Sequence, residues 1–338
     1  MAMRYLVTGC AGFIGAQVSR RLLDDGHRVT GVDELNDAYD PRLKQWRLDQ
    51  LQSLPGFRFH RGDIADAQAL EEAFAADVQA EAVAGLRSPY AAVINLAARA
   101  GIRASTEDPR SYYRSNVVGV LGLLELCRTH GVPKFLLASS SSVYGAAKPG
   151  PSREDWDTSH PLSPYAATKK AAETLAYSYH HLYGIDVSVL RYFTVYGPAG
   201  RPDMSVFYFI RQIAEGEPVA VFGDGTQRRD FTYIDDVAAG TLAALRPVGY
   251  EIVNLGGSHP VALLELIEEI CRQLGKTAEI EHRAANPMEI ATTWADTGKA
   301  GQLLGWSPQV ALAEGIRRSV AWYRENRRWV LSLKMGGR

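Results

Sequence analysis

The chain has 338 residues, of which 46% are hydrophobic and 22% charged, and its formal net charge at pH 7 is −1. This composition is typical of a globular protein with a sizeable core. The balanced charge argues against a nucleic-acid or membrane-surface role driven by bulk charge. Cys10, Cys127 and Cys271 form no CxxC pair and have no histidine at metal-ligand spacing, so we expect reduced thiols and no bound metal.

Short apolar runs alternate with helical patterns through the first 196 residues. A strand pattern begins almost at once, so we expect neither a signal peptide nor a membrane-spanning segment, and hence a cytoplasmic protein. The predicted strands cover 4–8, 28–33, 57–60, 92–96, 134–138 and 187–191, and the clearest helices cover 15–25, 116–130 and 166–183. Because strands that alternate with helices imply crossover connections, they predict a parallel sheet.

We therefore predict an α/β fold with a doubly wound parallel sheet of the Rossmann type. Residues 1–196 are expected to form this sheet domain, and part of 230–255 to return to it. Residues 197–338 have shorter elements and loops that contain Gly, Pro and Asp, which predicts a smaller α/β domain for the substrate. Ligands of such sheets bind beyond the carboxyl ends of the strands, so we expect the second domain to lie there.

Three glycines follow the first predicted strand in the segment TGCAGFIG. Gly9, Gly12 and Gly15 stand where the absence of β-carbons lets the backbone approach a pyrophosphate at a helix N-terminus. Asp33 ends the second strand, where a carboxylate accepts ribose hydroxyls and repels a 2′-phosphate. This combination favours NAD over NADP and over a purely structural turn. Asp63, after the third strand, is either an adenine contact or a turn-forming residue.

A candidate catalytic set combines a helix with the end of the fifth strand. Tyr165 and Lys169 are one helical turn apart, and an ammonium beside a phenol lowers the phenol pKa. A tyrosine with a lowered pKa acts as a general base near neutral pH. The serine run 139–142 ends the fifth strand and offers a hydroxyl to the reacting oxygen of a substrate. The alternatives are that the helix with Tyr165 and Lys169 is merely exposed and that the serines form a polar transition from strand to loop.

Two adjacent arginines lie in the segment GDGTQRRDFTY. Arg228 and Arg229 stand close to glycines, and guanidinium groups bind phosphate oxygens bidentately. The segment predicts either a diphosphate contact or a salt-bridged turn.

Together these motifs resemble the extended short-chain dehydrogenase/reductase family of nucleotide-sugar epimerases and dehydratases. The resemblance spans nearly the whole chain, and its markers are TGCAGFIG, SSSSVYG at 139–145, YAATK at 165–169, RYFTVYGP at 191–198, GDGTQRRDFTYIDDV at 223–237 and NLG at 254–256. It implies bound NAD, a UDP- or dTDP-sugar substrate, and Ser140, Tyr165 and Lys169 as the catalytic residues. The cofactor contacts that it implies are Gly9, Gly12, Phe13, Ile14, Gly15, Asp33, Asn36, Asp63, Ile64, Ala97, Lys169 and Tyr192.

Within the family, the segments NDAYD, AARAGIR and GRPDM look most like those of UDP-glucuronate 4-epimerases. The sequence departs from that branch at Arg99, usually a glutamine, and at 286–289, where NPME replaces a Pro-Gly-Asp stretch. The substrate contacts that the resemblance implies are Arg103, Ser141, Ser142, Thr194, Arg201, Val221, Phe222, Arg229 and Glu289.

The sugar carboxylate of such a substrate needs a cation or several hydrogen-bond donors. Arg201 and Thr194, with Ser141 or Ser142, are predicted to supply them, and the alternative is that Arg201 pairs with Asp203 in a surface turn. Dehydratases and decarboxylating relatives carry an acid beside the catalytic hydroxyl. Serines at 141 and 142 therefore favour simple epimerisation.

Three other functions remain open from the sequence. They are 4-epimerisation of neutral UDP-sugars such as UDP-glucose or UDP-N-acetylglucosamine, a net oxidoreductase that releases NADH, and a non-catalytic NAD-binding sensor. The resemblance also implies a homodimer formed by two helices from each chain. Helices 116–130 and 166–183 carry apolar residues on more than one face, and the alternative is that these are buried against the sheet alone. They include Leu121, Leu124, Leu175, Tyr179 and Leu182.

Overall fold

A computed structural model describes residues 2–82, 88–146, 148–284 and 290–334. The strands are β1 (Arg4–Thr8), β2 (Arg28–Asp33), β3 (Phe57–Arg61), β4 (Ala92–Asn95), β5 (Lys134–Ser140), β6 (Asp186–Tyr192), β7 (Thr194–Tyr196), β8 (Val219–Phe222), β9 (Arg228–Tyr233), β10 (Tyr250–Leu255), β11 (Pro260–Ala262) and β12 (Ile280–Arg283). The α-helices are α1 (Phe13–Asp24), α2 (Pro41–Gln52), α3 (Ala67–Ala82), α4 (Ile102–Glu107), α5 (Pro109–Tyr113), α6 (Gly119–Thr129), α7 (Pro164–Tyr183), α8 (Ser205–Glu215), α9 (Ile234–Ala243), α10 (Leu263–Leu274), α11 (Gly298–Leu304) and α12 (Leu312–Leu331).

Seven parallel strands form the main sheet in the order β10-β6-β5-β4-β1-β2-β3. The direction of sheet growth reverses between β1 and β4, so the loops at their carboxyl ends diverge and leave a crevice for a ligand. The predicted doubly wound sheet is confirmed, and β10 at residues 250–255 lies at its edge. The division of the chain into two domains near residue 196 stays a prediction.

Both faces of the main sheet are buried, which explains the continuous apolar runs of its strands. Successive residues of one strand join different cores: Val7 packs with Leu136 on one face, and Leu6 packs with Phe135 on the other. All four side chains are at most 1% exposed. Because side chains alternate across a strand, one short strand supplies both cores.

The later part of the chain forms two small sheets, β11-β9-β7 and β12-β8, packed with α8, α10 and α12 around a third core. Helix α12 also reaches α2, where the indole ring of Trp46 lies 5.7 Å from those of Trp322 and Trp329, measured between centroids. This aromatic cluster attaches the last helix to the elements that flank the main sheet.

The six strands predicted from the sequence are all present, and helix 116–130 differs in its start. A π-helical turn, Arg114–Val118, comes first, and the regular helix α6 begins only at Gly119. Two residues expected on an apolar outer face are also buried within their own chain, Leu124 at 0% and Tyr179 at 8% exposure.

The three cysteines are free thiols, with Cys10 and Cys127 buried and Cys271 half-buried. Among the described helices, none combines the length and the apolar character needed to cross a bilayer.

Candidate active site

The glycine-rich loop between β1 and α1 requires glycine for close packing. Gly9 has a φ of +67°, and a β-carbon there would lie 2.7 Å from the backbone nitrogen of Ala97. A β-carbon on Gly15 would lie 2.0 Å from the Gly9 carbonyl oxygen. Gly12 caps α1 without a side-chain hydrogen bond, so the first turn, with Phe13 and Ile14, presents its amide groups to a ligand.

A carboxylate lies beside this loop at the end of β2. Asp33 is 7% exposed and accepts hydrogen bonds from the amides of Ala11 at 3.1 Å and Leu35 at 2.9 Å. Asn36 follows, and its Oδ1 accepts a hydrogen bond from the Lys44 ammonium at 2.6 Å. Burial lowers the pKa of Lys44, and the nearby charge of Asp33 opposes that shift.

The other predicted cofactor residues lie at the ends of further strands. Asp63 follows β3 and pairs with Arg114 at 2.6 Å, and Ile64 beside it is buried. The Ala97 amide, after β4, donates to Thr8 Oγ1 at 3.2 Å. Tyr192 ends β6, and its hydroxyl lies 2.9 Å from Thr241 Oγ1. The fold therefore gathers these residues along the carboxyl edge of one sheet.

Tyr165 lies in the first turn of α7, and Ser140 at the end of β5 is near enough for its hydroxyl to act on the Tyr165 pKa. Burial raises the Tyr165 pKa, whereas the Ser140 hydroxyl and the charge of Arg201 oppose the rise. Burial has the largest effect on this pKa and Arg201 is the cation that opposes it, so the predicted effect of Lys169 on the phenol stays a prediction.

Lys169 lies one turn after Tyr165 and is buried. Its Nζ donates to the Ala138 carbonyl on β5 at 2.8 Å. Burial lowers its pKa to about 8, and the carboxylate of Glu173 opposes that shift. The lysine thus links the helix to the strand that bears Ser140.

The four serines of the run have different partners. Ser139 points to the buried Glu173, with its hydroxyl 2.6 Å from Oε1, and Ser140 accepts hydrogen bonds from the amide and hydroxyl of Ser142 at 3.2 and 3.0 Å. Ser141 lines a small cavity with Phe193 and the 292–294 backbone segment. Only the last three serines therefore face the site.

Arg201 belongs to the loop 197–204 between β7 and α8, which we call the arginine loop. Its guanidinium forms a bidentate pair with Asp203 at 3.1 and 2.7 Å, so the predicted alternative partner is present. The turn is not a surface turn, however, because the Arg201 side chain is only 20% exposed. Its positive charge opposes the rise of the Tyr165 pKa.

The remaining predicted substrate residues lie on elements that face the carboxyl edge or border it. Thr194 begins β7, and the Arg103 guanidinium of α4 lies 5.5 Å from the ring centroid of Phe222. Val221 is fully buried, so this structure does not expose it to a ligand. Arg229 donates to the Ile290 carbonyl at 2.7 Å. Glu289 lies outside the described residues.

Two residues near the catalytic set escaped the sequence analysis. The ring of Tyr112 meets that of Tyr165 edge-on at 6.2 Å between centroids. Asn116, in the π-helical turn, exchanges hydrogen bonds with the backbone of Arg99 and donates to Thr168 Oγ1 at 3.0 Å. The only sequence signal for these two residues is Asn116 itself, a polar residue within an otherwise apolar helical pattern.

Comparison with known proteins agrees with this geometry. The sequence model of the NAD dependent epimerase/dehydratase family matches residues 5–256. The chain therefore belongs to the NAD-dependent epimerase/dehydratase family.

Among its relatives, a UDP-glucuronate 4-epimerase of Thermodesulfobacterium geofontis is 52% identical over 98% of this chain and 99% of its own. The crystal structure of UDP-glucuronic acid 4-epimerase from Bacillus cereus with UDP-glucuronic acid and NAD has a TM-score of 0.86 at 36% identity, covering 96% of this chain and 99% of that one. A UDP-glucose 4-epimerase of Thermotoga maritima with UDP-glucose has the same TM-score at 29% identity, covering 96% and 100%.

The residues present fit NAD. The crowded glycines leave no room for side chains where a pyrophosphate approaches, and the carboxylate of Asp33 lies beside the loop for a ribose. No group of three or more metal-ligating side chains occurs among residues of the described ranges.

Proposed function

We propose that this protein is an NAD-dependent UDP-sugar 4-epimerase that interconverts UDP-glucuronate and UDP-galacturonate. The observation that carries the proposal is the meeting of Ser140, Tyr165 and Lys169 at the sheet edge, in a chain 52% identical to a UDP-glucuronate 4-epimerase.

In the proposed reaction, Tyr165 accepts the proton of the sugar 4-hydroxyl while Ser140 holds that oxygen by a hydrogen bond. When bound, NAD would supply reversible hydride transfer at carbon 4. Once the 4-keto sugar has turned its other face to the cofactor, Tyr165 would return the proton to the 4-oxygen. No net oxidation results.

Lys169 has two roles in this scheme. Its Nζ, anchored on the Ala138 carbonyl, belongs to a residue one helical turn from Tyr165, where a positive charge would stabilise the phenolate that accepts the proton. The same ammonium group is proposed to bind a cofactor ribose. Phe13, Ile14 and Asp33 would hold the rest of the dinucleotide.

A direct assay tests the proposal. We expect purified protein incubated with UDP-glucuronate to form UDP-galacturonate, resolved by chromatography, without growth of NADH absorbance. Conversion of UDP-glucose alone would move the assignment to a neutral-sugar epimerase, and steady NADH release would make it a net oxidoreductase.

Arg201 is proposed to recognise the carboxylate at carbon 6. The 4-keto intermediate is a β-keto acid, and a carboxylate held away from alignment with the ketone resists loss of carbon dioxide. Thr194 and Ser141 or Ser142 are proposed to assist. The pairing with Asp203 orients the guanidinium, and its charge acts on the Tyr165 pKa.

Replacing Arg201 should change substrate preference. A charge-assisted hydrogen bond contributes about 1.5–3 kcal/mol, or roughly 10- to 150-fold in affinity. Arg201→Ala should therefore weaken UDP-glucuronate much more than UDP-glucose, and some UDP-4-keto-pentose should be released. Steady-state kinetics with both sugars measure this, and equal losses for the two would contradict the assigned role.

The protein is further proposed to be a cytoplasmic homodimer. Exposed apolar side chains on and beside α6 and α7 support this, with Val118 at 52%, Leu121 at 40% and Leu182 at 65%. Light scattering at micromolar concentration should give twice the chain mass, and Leu121→Asp with Leu182→Asp should give the monomer. A monomeric mass for the unaltered protein would refute the dimer.

A further inference from the structure

One buried guanidinium connects the glycine-rich loop with the arginine loop. Arg47 of α2 is 4% exposed, and its Nη1 donates to the Ala11 carbonyl at 3.2 Å. Its Nη2 donates to the carbonyls of Ala199 at 2.6 Å and Gly200 at 3.4 Å. A single side chain thus joins two segments, at Ala11 and at Ala199, that are almost 190 residues apart in the sequence.

The arginine loop is strained where Arg47 holds it. Ala199 has a φ of +53°, in the left-handed region that disfavours residues with a β-carbon. Such a conformation persists only where the surroundings impose it. The carbonyl of this same residue receives the shortest of the Arg47 hydrogen bonds, and Arg201 lies two residues further on.

Tyr39 provides a second connection between the two arginines. Its hydroxyl accepts a hydrogen bond from Arg47 Nη1 at 2.8 Å. The Arg201 guanidinium carbon lies 5.4 Å from its ring centroid, and that of Arg47 lies 5.6 Å from it. The ring is 6% exposed, so both cations contact a desolvated aromatic surface, where cation–π attraction is strongest.

We infer that Arg47 is a positioning residue for Arg201: it holds the arginine loop in its strained conformation and thereby sets the preference for an acidic sugar. This inference rests on the proposed function, in which the substrate is an acidic sugar. The role assigned to Arg47 requires no contact with the substrate.

Arg47→Met tests this inference, because methionine keeps an apolar stem and removes every donor. With NAD saturating, we expect the ratio of kcat/KM for UDP-glucuronate to that for UDP-glucose to fall about tenfold, since one charge-assisted contact is displaced. Hydrogen exchange should become faster in the amides of residues 199–204.

Ala199→Gly in the Arg47→Met background separates positioning from general stabilisation. Glycine adopts positive φ at little cost, so it should restore part of the lost preference and part of the exchange protection. If Arg47 only stabilised the fold in general, Ala199→Gly would not restore the sugar preference or the exchange protection. The matched control is Arg20→Met, because Arg20 on α1 donates to Gln50 at 3.0 Å and should leave both readouts unchanged.

If Arg47→Met does not fold, Arg47→Lys replaces it, since an ammonium keeps the charge but cannot span both sets of carbonyls. Equal losses for the two sugars, unchanged exchange in 199–204, or no rescue by Ala199→Gly would overturn the inference. If the unaltered protein does not convert UDP-glucuronate, the proposed function fails, and exchange in 199–204 still decides whether Arg47 positions the arginine loop.

Discussion

Tyr165→Phe should lose most of the epimerase activity while the protein keeps its fold and binds NAD. The substitution removes only the hydroxyl that exchanges a proton with the sugar, and general acid–base groups contribute about 100- to 10,000-fold to rates. The ring remains and keeps its edge-on contact with Tyr112. Turnover is measured with UDP-glucuronate, and circular dichroism and NAD binding report on the fold.

The matched control for this variant is Tyr112→Phe, because Tyr112 donates to the Ala100 carbonyl at 3.1 Å and its hydroxyl has no proposed part in proton transfer. Its effect on turnover should be much smaller. Turnover of Tyr165→Phe near that of the unaltered protein would exclude Tyr165 as the base.

Glu173→Ala should strongly destabilise the protein. Glu173 and Arg191 are each 1% exposed and form a bidentate ion pair at 2.9 and 2.8 Å. Removing one partner of a buried pair leaves an uncompensated charge, which costs about 3–5 kcal/mol. The free energy of unfolding, measured by denaturant titration, should fall by this amount.

Two control variants test whether the uncompensated charge causes the loss of stability in Glu173→Ala. Glu314→Ala removes an acid from an exposed ion pair with Arg317, and its effect should be far smaller because water screens such pairs. The double variant Glu173→Met, Arg191→Met removes both buried charges and should recover much of the lost stability. A loss for Glu173→Ala no greater than for Glu314→Ala would contradict the expected cost.

Glu173 also connects stability with the site. Its carboxylate accepts the Ser139 hydroxyl next to Ser140, and its charge opposes the lowering of the Lys169 pKa. Loss of this carboxylate should therefore disturb catalysis in the fraction that still folds.

Local sequence patterns determined the sheet and most of the candidate site. Strands β1, β4 and β5 were predictable because a parallel strand buried on both faces requires a continuous apolar run. Gly9 and Gly15 were predictable because their crowded positions exclude a β-carbon. Tyr165 and Lys169 were predictable because helical spacing alone places them one turn apart.

Only the tertiary structure decided which groups surround those residues. Lys169 bonds to the Ala138 carbonyl, and Arg201, which no helical spacing connects with Tyr165, is a cation that opposes the rise of the Tyr165 pKa. Leu124 and Tyr179 fit an outer apolar face by helical periodicity, yet both are buried in their own chain. Periodicity gives the direction of a side chain but not what packs against it.

The hydrogen bonds of Arg47 show most clearly why the sequence could not suffice. Besides Tyr39, its partners in the two loops include carbonyls 36 and 152 residues away, a backbone group that every residue type possesses. No side-chain pattern marks such a partner. A buried guanidinium requires acceptors, but only the packing of α2 against the glycine-rich loop and the arginine loop decides which carbonyls supply them.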